Sequence, residues 1–393
     1  MELTREQISE FILKATSSSD GFNQLIEVIL NSLMHHERRM FLDETSDSGN
    51  GFRPRRFCYG HYEFRLKVPR TRQGCFYPVL LAVIKREDEE RARLFTSLYS
   101  KGLTTEQIGE VAEELYGKHY SKQQVSYLSR SCAEEVEAWL NRELANRYLA
   151  VFIDATFSPT RRGDSVRREA YYTLLGLLPD GRREVLGIVN HPTEGAINWQ
   201  QELLALQERG VSKIDLIVSD ALAGIENAVT ASFPMAKHQL CVTHLKRNMA
   251  ALVPHKKRGI LMEELKEIFP MEQKGKSVMQ QYQLFCNFVE KWSKAYPRFS
   301  KFKHERNIAH FTYLQFPPQV QRMIYTTNWI ERLNRDYKRV LKMRGAMPSP
   351  QAVLFLLGEV ARSKTETTYS KKIPYISEWL EEEALSDDNK KVK

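Results

Sequence analysis

The sequence predicts an α/β protein of several domains, on two observations. The chain has 393 residues, which at roughly 100–200 residues per domain makes two to four domains. Its hydrophobic periodicity is helical over much of the first 146 residues and changes at Tyr148 to apolar strands alternating with helices. Hydrophobic residues are 42% and charged residues 27% of the chain, a globular balance that excludes a disordered or fibrous protein.

Lys and Arg total 58 against 49 Asp and Glu, for a net charge of +9 and a pI near 9.1. That balance favours anionic partners, nucleic acid first. The longest apolar run, FYPVLLAVI at 76–84, has nine residues including a proline, far short of the roughly 20 that span a bilayer. No membrane partner is expected. The first residues lack the apolar core of a secretion signal, and the five cysteines are scattered, so a reducing cytoplasmic setting is expected.

Residues 1–50 read as a small helical unit, with Phe22, Leu25, Ile26, Ile29 and Leu33 on one stripe and a loop from 44 to 51. Residues 51–146 read as a basic hairpin followed by paired helices. Between Gly51 and Arg72 lie seven Arg or Lys and one acid, and Tyr62, Phe64, Leu66 and Val68 alternate as in a strand. Arg53, Arg55, Arg56, Arg70 and Arg72 then form a face suited to phosphates. Further on, Thr104 with Gln107 and Ser121 with Gln124 have capping-box spacing, and two short helices meet around Gly117. This is a helix-turn-helix pattern, whose second helix would offer Lys122, Gln123, Ser126, Tyr127 and Arg130 to a major groove.

From Tyr148 the order is β-β-β-α-β-α: YLAVFIDATF, then a hairpin turning at Pro179-Asp180-Gly181, a helix from INWQQELLAL with Trp199 in the core, the strand IDLIVSD and a second helix. Three strands in a meander followed by a crossover is the ribonuclease H-like order, in which the first and fourth strands are adjacent and parallel. Asp154 lies in the first of these strands and Asp220 ends the fourth, so the two carboxylates would meet. An unpaired carboxylate in an apolar strand is costly, and hard divalent cations are its natural partners. A third carboxylate is offered by NWIERLNRDYKRVLK. There Asn328, Glu331, Arg335, Lys338 and Lys342 share one helical face, and Trp329, Ile330, Leu333, Tyr337, Val340 and Leu341 take the other.

At these residues the sequence resembles the bacterial insertion-sequence transposases of the Mutator superfamily. The matching segments are VPRTRQG, IDATF, SDALAGIENAV followed by FPMAKHQLCVTHLKRN, and TTNWIERLNRDYKRVLKMRG. The resemblance implies a DDE triad of Asp154, Asp220 and Glu331 holding two Mg²⁺ or Mn²⁺ ions. It also implies a ribonuclease H-like core, covering 147–245 and 321–365, interrupted by a helical insertion at 246–320, where 110 residues separate the second Asp from the Glu. A charged tail, 366–393, follows. Cys241-x-x-His244 matches a family signature, and without a second Cys or His pair nearby it reads as structural or supporting the metal ligands.

The expected function is binding of the element's terminal inverted repeats, cleavage at its ends and strand transfer into target DNA, in the bacterial cytoplasm at the nucleoid. Joining two ends calls for a homodimer or higher oligomer. Two other readings remain: a structure-selective nuclease on the same fold, which would not need the basic N-terminal half, and a non-catalytic DNA-binding derivative, which would be expected to lack a triad residue.

Overall fold

The computed structural model describes residues 9–10, 12–13, 19–59, 62–116, 120–191, 199–271 and 275–380. It is a mixed α/β protein whose chain divides into two compact units, Met1–Ala133 and Glu134–Lys393. No helix among the described residues is long and apolar enough to cross a membrane.

In the first unit, helix α1 (Ser19–Glu44) lies on the hairpin of β1 (Gly49–Tyr59) and β2 (Tyr62–Thr71). Phe64, Leu66 and Val68 alternate inward against Met34, with Ile26 and Leu30 packed beside it. The packed stripe is therefore Ile26–Leu30–Met34, and Ile29 and Leu33, expected inside, are exposed. The cause is the hairpin edge, whose free backbone groups bond polar side chains of α1. Asn31 Nδ2 donates to Arg65 O (3.1 Å), Lys67 N donates to Asn31 Oδ1 (2.6 Å) and Arg65 N to Glu27 Oε2 (2.9 Å). These bonds fix the roll of the helix and close an edge that would otherwise pair with another strand.

Three helices follow: α2 (Val79–Ser100), which sequence periodicity did not single out, α3 (Thr105–Tyr116) and α4 (Lys122–Leu128). Phe95, Ile108, Ala112 and Val125 form their core. Both capping boxes are present. Thr104 N donates to Gln107 Oε1 (2.9 Å) and Gln107 N to Thr104 Oγ1 (3.3 Å), and Ser121 and Gln124 repeat the exchange. Gly109 is required within α3 because a Cβ there would sit 2.3 Å from Tyr120 O. The joint at Gly117 lies outside the described residues. Helix α4 ends at Leu128, and Arg130 opens a new helix, α5 (Arg130–Leu140), so Arg130 is not on the same helix as Gln123; its side chain is outside the described residues.

The second unit is built on a five-stranded sheet of β3 (Arg147–Arg162), β4 (Ser165–Leu177), β5 (Arg183–His191), β6 (Lys213–Ser219) and β7 (Lys237–Leu240), in the order β5-β4-β3-β6-β7. β3, β4 and β5 are antiparallel, while β3, β6 and β7 run parallel. The first and fourth strands are thus neighbours, as their order in the sequence predicts. The β4–β5 turn uses Gly181 at φ 86°, a left-handed value suited to glycine. β7, four residues of KHQL, was not anticipated. Its end is held by buried Gln239, which donates to His310 O (3.0 Å) and accepts from Tyr313 N (2.6 Å), in the 3₁₀ segment Glu305–Gln315.

Helices α6 (Trp199–Glu208) and α7 (Ile225–Ser232) cover one face of the sheet, where Trp199, Leu203, Ile225 and Val229 meet Val151, Ile153, Tyr172 and Ile217. Trp199 is 3% exposed and sits edge-on to Tyr172. After β7 the chain is helical: α8 (Val242–Ala250), α9 (His255–Ile268), α10 (Val278–Ala295), two 3₁₀ segments and α11 (Pro318–Ile324). Helices α12 (Asn328–Lys342) and α13 (Pro350–Lys364) return to the sheet. Of the charged tail expected at 366–393, residues 366–380 are packed onto the fold, with Tyr369, Ile376 and Trp379 buried and Trp379 against Phe316, and the residues beyond 380 lie outside the described residues.

Candidate active site

The register of β3 and β6 sets the site. Their last aligned pair is Ile153 with Ser219, so Asp154 and Asp220 come one residue later on adjacent parallel strands, where side chains point to the same face. β6 stops there while β3 continues. Helix α12 crosses this face, placed by the ring of Trp329, 5.1 Å from that of Phe152. Its buried residues are Ile330, Leu333, Asn334, Tyr337, Val340 and Leu341, the side its periodicity predicts plus one amide. Glu331, in its first turn, faces a cleft of about 1080 Å³ together with Asp154, Asp220, His244, Arg247 and Asn334.

Asp154 is partly buried. Its hydrogen-bond donors are neutral: Asn334 Nδ2 at 2.9 Å from Oδ2, and the Ala155 N–H. Burial, then the nearby Glu331 and Asp220 charges, push its carboxyl up to about 6 against the pull of His244. Asp220 Oδ1 accepts from Ala221 N (2.7 Å). Glu331 is not paired with Arg335 on its own helix. It is held by Arg247 of α8 through Nη1–Oε1 (2.8 Å) and Nη2–Oε2 (3.4 Å).

Cys241 caps α8 and is buried, with Sγ 3.5 Å from Thr327 Oγ1, the cap of α12. Val242 N also donates to Tyr325 O (3.3 Å). The Cys-x-x-His segment is therefore docked on the start of the Glu331 helix. One turn on, His244 lines the cleft with its Nδ1 buried and unpaired. Burial disfavours its charge, but the Cys241 sulfur, Asp220 and Asp154 outweigh burial and raise it to about 9. An imidazolium and a guanidinium thus offset part of the charge of the three carboxylates.

Among the described residues no three His, Cys, Asp or Glu side chains stand close enough to hold one ion together, Glu331 being turned onto Arg247. The donor chemistry nevertheless fits a divalent cation: two aspartates with neutral hydrogen-bond donors on adjacent strands, and a third carboxylate on the same cleft.

Of the cations expected along α12, Arg335 and Lys338 line the cleft, and Lys342 is exposed beyond it. In the first unit, a groove of about 810 Å³ brings Arg55 and Arg56 of the hairpin together with Gln123 and Tyr127 of α4. Arg53, Arg70 and Arg72 are exposed but do not line it, and Lys122 pairs with Glu106 (3.0 Å).

The model of the family described as Transposase, Mutator family matches residues 2–370. The chain belongs to this family of transposases. The transposase for insertion sequence element IS905 of Lactococcus lactis is 31% identical over 356 residues, covering 88% of this chain and 90% of the relative. That for IS1201 of Lactobacillus helveticus is 30% identical over 365 residues, covering 90% and 98%. That for IS256 in transposon Tn4001 of Staphylococcus aureus is 26% identical over 369 residues, covering 91% and 93%.

In this Mutator-family transposase the cleft also holds three polar residues that sequence reasoning passed over: Asn334, Arg247 and Arg332. The signal for the first two was helical spacing, since Asn334 is three residues after Glu331 and Arg247 three after His244. Arg332 adjoins Glu331 but falls outside the narrow arc used to define the charged face.

Proposed function

We propose that this chain is a DDE-type DNA transposase, which binds the terminal inverted repeats of its own element and cuts and joins DNA at a two-ion site of Mg²⁺ or Mn²⁺. The observation that carries this reading is the β3–β6 register, which sets Asp154 beside Asp220, with Glu331 across the same cleft. In this reading the sheet is a ribonuclease H-like core, supported by its strand order, and the helical stretch between Asp220 and Glu331 is its insertion. Helices α3 and α4 act as a helix-turn-helix, supported by the exposure of Gln123 and Tyr127 on the groove shared with Arg55 and Arg56.

Asp154 and Asp220 would hold the ions and Glu331 would complete the site on leaving Arg247. When bound, the ions neutralise the charge that develops on the attacking and leaving oxygens of an in-line displacement. Asn334 holds Asp154 Oδ2 in place. Arg332, Arg335 and Lys338 grip the phosphates along the cleft, and Arg247, once free, joins them. In cleavage a water oxygen bonds to phosphorus as the bond to the 3′-oxygen breaks, and that oxygen takes up a proton to become a 3′-hydroxyl; in transfer this hydroxyl loses its proton, bonds to a target phosphorus and the target's own 3′-oxygen leaves. No redox partner or energy cofactor is needed. Two ends joined at once require at least two protomers.

The test is a nicking assay on plasmid DNA carrying the element's own ends. Strand cleavage at the ends that needs Mg²⁺ or Mn²⁺ and stops with a chelator supports the reading; cleavage unaffected by the chelator, or at random positions, overturns it.

A further inference from the structure

The β3–β4 hairpin is longer than the sheet requires. β6 ends at Ser219, whereas β3 runs on to Arg162 and β4 starts at Ser165. The overhang carries Arg161, Arg162, Arg167 and Arg168 against Asp164 and Glu169. Glu169 is 1% exposed and answered by Arg162, through Nε–Oε1 (2.6 Å) and Nη2–Oε2 (3.2 Å). That internal pair stiffens the hairpin and leaves three arginines, all exposed, against one acid. By the strand register Phe157, Arg161 and Arg168 share one face of the hairpin, and Arg167, opposite Thr160, shares the other with Glu169, whose charge it helps to hold. The base of the overhang is also tied to the chain that leaves α12: Arg161 N donates to Met347 O (2.9 Å) and Met347 N to Pro159 O (2.8 Å).

Phe157 stands where this overhang meets the cleft. It is 37% exposed, lines the cleft with Asp154, and has the Arg168 guanidinium 5.1 Å from its ring centre. Its partner across the strands is Ala170, too small to cover it. Tyr172 and Trp199, the other aromatics of the cleft, are packed away at 2% and 3% exposure. An exposed ring in a cleft walled by cations is a stacking surface for a nucleobase, since every base has a π-face. Three residues of strand, a rise of about 10 Å, separate it from Asp154, and the two side chains leave opposite faces of β3 while lining the one cleft.

We propose that the overhang is a binding platform for a DNA strand: Phe157 stacks on a base unpaired beside the scissile phosphate, and Arg161 and Arg168, on the same face of the hairpin, hold the phosphates that flank it. This rests on the cleft being the DNA-cutting site. Unpairing is least costly at a nicked or frayed end, so the platform favours ends over continuous duplex.

The test uses the full chain in Ca²⁺ with two probes carrying the element's end, one a continuous duplex and one frayed at the cleavage position with 2-aminopurine as the unpaired base. The wild type is expected to bind the frayed probe more tightly. Phe157→Ala should cut affinity for the frayed probe about tenfold, the order of one lost base–aromatic stack, while leaving duplex affinity within about twofold. Phe157→Trp should restore the preference and keep the 2-aminopurine emission of the wild-type complex. Joint replacement of Arg161 and Arg168 by Ala should flatten the salt dependence of frayed-probe binding by up to about two contacts. Equal affinity of wild type and Phe157→Ala for the frayed probe, with unchanged emission, overturns the platform alone if the wild type still cleaves in Mg²⁺. A wild type that neither cleaves nor prefers its element's ends overturns the reading beneath it as well.

Discussion

Asn334 ties together the two parts of the candidate site, because its amide donates to Asp154 across 180 residues of sequence separation. A buried carboxylate next to two others samples several orientations unless one oxygen is held. Asn334→Ala is expected to lower the cleavage rate at saturating DNA by about 10–100-fold, as loss of an outer-shell partner commonly does, with DNA affinity nearly unchanged. Single-turnover kinetics with titrated DNA separate the two; a fall in affinity at an unaltered rate contradicts the positioning role. Helical spacing put Asn334 near Glu331 and Arg247 near His244, but their partners were not legible beforehand, since the Asn334–Asp154 and Arg247–Glu331 bonds are long-range contacts that periodicity does not encode. The paired aspartates were legible, because an acid inside an apolar strand is conspicuous and strand order fixed which strands would be neighbours.

Among the elements, the capped helices, the Pro179-Asp180-Gly181 turn and the buried face of α12 followed from local chemistry. What escaped were pieces stabilised from outside: β7, only four residues long, and the roll of α1, set by hydrogen bonds to a strand edge. Around β7 lies a pH-sensitive element. Burial lowers His238 to about 4 and His310 to about 3, while the unfolded chain takes up each proton near pH 6.5. Both histidines therefore stay neutral in the fold while the unfolded chain charges, so stability falls as pH drops from 6.5 towards 4, at up to about 1.4 kcal/mol per histidine per pH unit. His310 Nδ1 donates to Leu240 O (3.1 Å). His310→Asn offers an amide there without titrating, and urea midpoints between pH 7 and pH 5 are expected to shift less than in the wild type. An equal shift in both proteins contradicts the assignment.

For the whole molecule, with its net charge of +9, the proposal gives the groove of the first unit and the cationic side of α12 different parts in DNA binding. Gln123→Ala with Tyr127→Ala is expected to reduce discrimination between terminal-repeat and random duplex more than total binding, checked by competition binding; equal loss on both DNAs would move repeat recognition elsewhere. Arg335, Lys338 and Lys342 together changed to Ala should do the reverse: the slope of log affinity against log salt flattens by up to about three contacts, and sequence preference survives. A wild-type slope would make this side of α12 an ordinary solvated surface. The account as a whole stands on three carboxylates acting at one DNA-cutting site. Its most direct test compares Asp154→Asn, Asp220→Asn and Glu331→Gln with the wild type for Mg²⁺-dependent nicking at the element's ends, with repeat binding measured alongside. Loss of nicking in all three with binding retained is the result expected, and robust Mg²⁺-dependent nicking by any one of them would contradict the site.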